Sequence, residues 1–309
     1  MSEKQQNSLP YQELSYLKGN KQFLSFERAL PIIDFVHQLK SRDYENEFSF
    51  LKQITQTREH DRLLYRSAQI QHLNRYADIL PYVHSIVKPQ LDTSDNSYYI
   101  NANYIRGGND EERKYIATQG PVNQSVQDFW HMIWTNNVGA IIMLCKLFDR
   151  QRIQCEKYWP SEKAIYGPYQ IDTISRQESN KDIFESSLIM KTKEKQHKVS
   201  HYQWCDWPDF GIVKEDSYQV LDWLAGIANE AAQDNKTPVI HCSAGVGRTG
   251  TFLAICHIKQ LLIKNDAQIS IFSIVRRLRE QRPLLVQSVQ QYEMIYKYTI
   301  WLLKNLKYM

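Results

Sequence analysis

A chain of 309 residues with 42% hydrophobic and 23% charged side chains can bury a core, and its length fits one large domain or two small ones. The formal net charge of +4 is spread without runs of one sign, which gives no support to a nucleic-acid partner. Cys145, Cys155, Cys205, Cys242 and Cys256 form an odd set with no C-x-x-C spacing and no histidine-rich neighbourhood, which argues against a disulfide framework or a zinc site and for a reducing compartment.

Residues 1–23 read as a polar tail, disordered or loosely attached. They hold no apolar signal core, and position 2 is not the glycine that myristoylation needs. No apolar run, residues 140–145 included, is long enough to span a bilayer, so a cytoplasmic location is expected, with the nucleus also open. No repeat or flexible seam follows, and residues 24–306 are expected to form one domain.

The first clear helix follows Ser125, which with Asp128 resembles a capping box; Val126, Phe129, Trp130, Ile133 and Trp134 then share a face. Residues 139–145 and 237–241 are short apolar runs between turn residues, the pattern of buried strands. Residues 184–191 and 199–204 read as longer, half-exposed strands. Ser217 can cap a helix carrying Tyr218, Leu221, Leu224, Ala225 and Ala228 on one face. Ser288 and Gln291 open a last helix with Tyr292, Ile295, Tyr296, Thr299 and Leu303 inward. The mixture predicts an α/β fold, a twisted mixed sheet flanked by helices.

The densest signal lies between the strand at 237–241 and a helix starting near Gly247 with Phe252, Ile255, Ile258 and Leu262 as its buried stripe. The link is Cys242-Ser243-Ala244-Gly245-Val246, running into Gly247-Arg248-Thr249. Small residues let successive N–H groups turn inward as an anion nest, and the helix N-terminus adds its positive end. Cys242 therefore sits among donors that favour its thiolate, and Arg248 returns with a planar fork suited to phosphate oxygens. A nucleotide-binding loop would need a lysine that this segment lacks.

This His-Cys-x5-Arg-Thr segment resembles the signature loop of the protein tyrosine phosphatases, in their tyrosine-specific branch, and the similarity runs from about residue 30 to 305. The resemblance implies the fold of that family and hydrolysis of phosphotyrosine in proteins, with no metal or organic cofactor. Cys242 would attack phosphorus, Arg248 and the backbone of residues 243–247 would bind the phosphate oxygens, His241 would brace the loop, and Thr249 would help the cysteine leave. Trp207-Pro208-Asp209-Phe210-Gly211 resembles the mobile acid loop, with Trp207 as hinge and Asp209 as general acid; Asp206 is the rival carboxylate. Gln287 and Gln291 match the two glutamines that place the hydrolytic water, although Gln291 also fits the capping box. Asn74-Arg75-Tyr76-Ala77-Asp78 resembles the substrate-recognition loop, in which Tyr76 sets the slot depth and Asp78 accepts from the peptide backbone. The segments at 99–105 and 115–121 also match and read as scaffold.

The sequence departs from the family pattern at several places. Asp149 stands where a glutamate would hold Arg248, Gln154 where a lysine would meet the acid loop, and Val213 where a proline is usual. Ala77 removes a basic substrate-reading position, and Leu284 fills the place of a glycine that opens a second phosphotyrosine pocket in some members. Two other readings stay open on these residues. One is a catalytically weak phosphotyrosine-binding module, and the other is a dual-specificity or phosphoinositide phosphatase.

Overall fold

The computed structural model of the chain describes residues 17, 19–56, 68–88, 98–107, 113–179, 182–209, 211–263 and 268–308. Its first elements are α1 (Lys21–Glu27), β1 (Leu30–Pro31), α2 (Ile32–Gln38), α3 (Tyr44–Ile54) and α4 (Ala68–Gln71). Then come β2 (Ala102–Arg106), β3 (Arg113–Thr118), α5 (Val126–Thr135), β4 (Ala140–Met143), β5 (Phe148–Asp149), β6 (Arg152–Ile153) and β7 (Lys163–Tyr166). The remainder is β8 (Tyr169–Ser179), β9 (Ile183–Lys191), β10 (Gln196–Trp204), α6 (Tyr218–Gln233), β11 (Pro238–His241), α7 (Gly247–Ile263), β12 (Gln268–Ile269), α8 (Ile271–Gln281) and α9 (Val289–Asn305).

An eight-stranded mixed sheet in the order β2-β3-β11-β4-β10-β9-β8-β7 forms the frame. The inner strands β3, β11, β4 and β10 run parallel, and the outer pairs are antiparallel. Every residue of β4 and β11 is buried, as expected of parallel strands covered on both faces. α7 leaves the end of β11 and is buried from Gly247 to Ile258, with α6, α8 and α9 packed around it. A strand-loop-helix unit thus holds residues 242–246 between two rigid elements at the centre of the fold.

The polar N-terminal segment is partly packed. Asn20 caps α1 by accepting from the N–H of Phe23 at 3.0 Å, and Phe23 is buried against Phe272. The ordered part therefore starts ahead of residue 24, while residues 1–16 and 18 lie outside the described residues. Two expected caps are used differently. The Ser125 hydroxyl bonds to the backbone of Val122, and that of Ser217 donates to Asp216. β10 starts at Gln196 rather than 199, because its ladder with β9 continues to the pair Gln196–Lys191. β8 was not foreseen: its outer half, with Arg176, Gln177 and Glu178, is polar and exposed and so lacks an apolar period.

Candidate active site

The carbonyls that follow Cys242 all bond outward. Ser243 O accepts from the N–H of Gly120 at 2.9 Å, and Val246 O from those of Gly250 and Val286 at 2.9 and 3.1 Å. Ala244 O and Gly245 O accept from Arg282 at 3.1 and 2.8 Å. In a planar trans peptide the N–H points opposite to the C=O. The N–H groups of Ala244, Gly245, Val246 and Gly247 therefore face inward, and the expected anion nest forms. Gly245 makes this turn possible: its φ is +70°, and a Cβ there would lie 2.1 Å from the carbonyl oxygen of Thr118.

Cys242 is 3% exposed at the base of the nest. Burial alone would push its thiol up. The cation of Arg248, the Thr249 hydroxyl and the N–H groups of Thr249 and Gly245 outweigh burial and hold it below the usual thiol range. The other four cysteines are pushed up by burial, Cys205 to about 11 and Cys145, Cys155 and Cys256 further. The Thr249 hydroxyl is buried without another partner of good geometry, so its polar action is directed at the sulfur. His241 braces the loop from below: its Nδ1 donates to the carbonyl of Cys242 at 3.1 Å.

Arg248 is 3% exposed and joins two loops. Its Nη2 contacts Asp209 Oδ1 at 2.8 Å and its Nη1 donates to the carbonyl of Trp207 at 3.1 Å, so the acid loop lies against the phosphate loop. The Trp207 indole donates to Gly211 O at 3.2 Å and Gly211 N–H to Pro208 O at 3.1 Å, which makes the loop a tight turn. Val213 is buried behind it, Asp206 is exposed, and Phe210 lies outside the described residues.

The expected support of Arg248 by Asp149 is not what the structure shows. Gln154 Oε1 takes that place, accepting from Arg248 Nη2 at 3.4 Å. Asp149 lies on the short hairpin of β5 and β6 and lines a cavity of about 490 Å³ behind the acid loop, which Lys146, Asp206 and one side of Arg248 also border. The shorter side chain leaves the arginine to the amide, which is 3% exposed and reaches it from β6's far end.

Tyr76 stands at the loop's edge with its hydroxyl 3.0 Å from that of Ser243. Its neighbours fix it. Arg75 donates to the carbonyls of Gly120, Pro121 and Ile153, and Asn74 Oδ1 accepts from Tyr99 and Asn101. The scaffold segments at 99–105 and 115–121 thus anchor the loop that carries Tyr76. Ala77 and Asp78 are exposed on its outer side.

The two glutamines meet at Gly247. A Cβ on that glycine would lie 3.0 Å from Gln291 Nε2 and 3.1 Å from Gln287 Oε1, so glycine is what lets both amides approach. Ser288 caps α9 by accepting from Gln291 N–H at 3.2 Å, and Gln291 Oε1 accepts from the N–H of Gln287 at 2.9 Å. Half of the capping box forms, and the amide nitrogen of Gln291 remains directed at the phosphate loop. Leu284, Leu285 and Val286 lead into this pair, with left-handed φ of +64° at Leu284 and +61° at Val286.

Arg282 escaped the sequence reading. It is fully buried and binds, besides the two loop carbonyls, Asn103 Oδ1 at 2.8 Å and Asn101 Oδ1 at 2.9 Å. Burial lowers its pKa to about 10, partly countered by Tyr99 and Cys242. An arginine followed by proline at a helix end carries no sign of this, since its partners are distant in sequence. Among the described residues no cluster of histidine, cysteine and carboxylate could hold a metal ion, and no helix is long and apolar enough to cross a membrane.

Known proteins resemble this chain in sequence and in fold. The sequence model described as protein-tyrosine phosphatase matches residues 70–301. Human tyrosine-protein phosphatase non-receptor type 12 is 34% identical over 283 residues, 86% of this chain and 36% of that protein. Mouse receptor-type tyrosine-protein phosphatase eta is 37% identical over 228 residues, 71% of this chain and 18% of that protein. The chain therefore spans about a third or less of these relatives. The crystal structure of the catalytic domain of human protein tyrosine phosphatase non-receptor type 18 superposes with a TM-score of 0.79 at 30% identity, covering 87% of this chain and 98% of that one. The same protein is also known in complex with HER2-pY1196 phosphor-peptides, with a TM-score of 0.78.

Proposed function

Because the chain belongs to the protein-tyrosine phosphatase family, we propose that it hydrolyses phosphotyrosine in proteins through a phosphocysteine on Cys242. The observation that carries this reading is one constellation. A cysteine whose thiol is held below its usual range lies beneath inward N–H groups, with Arg248 beside it and Asp209 on the loop that Arg248 holds.

The phosphate enters the nest and takes the fork of Arg248 and the loop N–H groups as its donors. Cys242 Sγ attacks phosphorus as the bond from phosphorus to the tyrosyl oxygen breaks. Asp209, released from Arg248 once the phosphate takes the fork and then protonated, gives its proton to that oxygen, which is needed because a free phenol has a pKa of about 10. Water then attacks phosphorus, the sulfur leaves with help from the Thr249 hydroxyl, and Asp209 takes the water's proton. Gln287 and Gln291, close over Gly247, are the groups that orient this water.

Tyr76, tied to Ser243, sets the depth of the slot, which a phosphotyrosine can fill and a phosphoserine cannot. Proteins carrying phosphotyrosine are the proposed partners, as the phosphopeptide complex of the type 18 relative also suggests. The packed chain from α1 to about residue 306 acts as one catalytic unit. The five free cysteines support a reducing compartment, the cytoplasm or the nucleus, as the place of this proposed role.

The test is turnover of phosphotyrosine, phosphothreonine and phosphoinositide substrates across pH by wild type, Cys242→Ser and Asp209→Ala. Selectivity for phosphotyrosine with a bell-shaped profile is expected, with no turnover by Cys242→Ser. Binding without turnover in the wild type would identify a binding module, and comparable rates on all three substrates a broader phosphatase.

A further inference from the structure

Behind the phosphate loop lies a chain of three buried polar side chains, His201, Tyr158 and His241, of which His241 is the one that touches the loop. Tyr158 Oη lies 2.9 Å from His241 Nε2 and 2.9 Å from His201 Nε2. All three residues are fully buried. His201 sits on β10, the strand that runs on into the acid loop, and Tyr158 sits beyond the hairpin of β5 and β6.

Donor accounting fixes the direction of this chain. A carbonyl can only accept, so the contact of His241 Nδ1 with the Cys242 carbonyl places a proton on Nδ1. A neutral His241 then accepts at Nε2, and the one hydroxyl proton of Tyr158 must point there. The Tyr158 oxygen is left to accept, and the donor that faces it is His201 Nε2–H. His201 Nδ1 is buried without a partner, which agrees with its being the bare lone pair of that tautomer. Burial keeps both imidazoles neutral, His241 at about 4 and His201 well below its usual value. The cations that face them act the same way: Arg176 on His201, and Arg75 and Arg248 on His241.

We infer that His201 is a positioning residue for the nucleophile, acting through Tyr158 to hold His241 in the tautomer that donates to the carbonyl of Cys242. This inference rests on the proposed reaction for its meaning and on donor geometry for its content. Without the His201 donor, the Tyr158 proton is free to turn away, for instance toward Met143 Sδ at 4.0 Å. His241 can then protonate at Nε2, and its Nδ1 lone pair would oppose the carbonyl of Cys242. The carbonyl would swing and the peptide planes above the sulfur would follow it. The thiolate would lose part of its donor set, so its pKa would rise. The tilted contact of His201 with the Trp159 ring, centroids 4.6 Å apart, gives a phenylalanine at this position a surface to pack on.

Two measurements test this, and neither needs turnover. In the wild type, imidazole 15N chemical shifts should show His241 protonated at Nδ1 and His201 at Nε2; either opposite tautomer overturns the inference. The pH dependence of Cys242 alkylation by iodoacetamide should then shift. His201→Phe and Tyr158→Phe should each raise the apparent pKa of Cys242 by about one, while His201→Gln, which keeps an N–H donor, should stay near the wild type. Folded phenylalanine variants with the wild-type alkylation profile would overturn it. If the wild type shows these shifts but hydrolyses no phosphotyrosine, the functional proposal fails and the positioning role stands.

Discussion

Gln154 Oε1 accepts from Nη2 of Arg248 at 3.4 Å, the same nitrogen that holds Asp209 at 2.8 Å. One guanidinium nitrogen thus serves both the Gln154 amide and the Asp209 carboxylate. In the proposed reaction the phosphate takes the fork from Asp209, and the Gln154 amide is then the contact that steadies it. Gln154→Ala should lower kcat/KM about tenfold, as for the loss of one modest hydrogen bond to a charged group. Asp149→Ala should leave it nearly unchanged. Steady-state kinetics on a phosphotyrosine peptide check both, and a larger loss in the Asp149 variant would restore that residue as the support.

Arg282 holds Gly245 O, Ala244 O, Asn103 and Asn101 with one planar group. A lysine cannot make four such bonds in a plane. Arg282→Lys should therefore loosen the carbonyls that turn the nest inward, and kcat/KM should fall at least about a hundredfold, the scale of losing preorganised donors. The alkylation rate of Cys242 at neutral pH should fall with it. An unchanged rate would mean that the loop holds its shape without this brace.

Stability should drop in acid through the buried histidines. His241 and His257 are lowered from 6.5 to about 4 by burial, and His201 is also lowered well below its usual value by burial. Between pH 6.5 and 4 the unfolded chain binds these protons and the folded chain does not. Folding stability is thus full above pH 6.5 and falls as the pH is lowered, by at most about 1.4 kcal/mol per pH unit for each histidine. His257, whose Nε2 is buried without a partner, lies outside the site. Urea unfolding of His257→Phe should show a shallower loss between pH 6.5 and 5 than the wild type; parallel curves would count against this assignment.

Leu284 adopts a φ of +64°, which costs a non-glycine residue about 1–2 kcal/mol. Leu284→Gly should relieve that strain, so its unfolding free energy should not fall despite the lost side chain. Leu285, fully buried beside it, should lose about 2–5 kcal/mol as Leu285→Ala. The bulk of Leu284, three residues before Gln287, also predicts equal turnover of singly and doubly phosphorylated peptides by the wild type. A preference for the tandem peptide would show that a second pocket exists.

The sequence made the local parts of this site readable. Cys242, Arg248 and Gly247 are close along the chain, and a strand, a small-residue turn and an apolar helix dictate their arrangement. Tyr76 and the two glutamines were placed by likeness to a family, and the structure brings them to the loop's edge. What stayed hidden depends on contacts across the fold. Arg282 serves carbonyls far away in sequence, and Gln154 displaced Asp149 because the hairpin's reach, invisible in one dimension, decides which side chain arrives. The polar outer half of β8 was missed because the ladder to β9, and no apolar period, holds it.

The central claim is that Cys242 carries the phosphoryl group. Wild-type protein mixed with a phosphotyrosine peptide and quenched rapidly in acid should show, by peptide mass spectrometry, one added phosphoryl group on Cys242, absent in Cys242→Ser. Turnover with no such adduct in the wild type, or an adduct on another residue, would contradict the account.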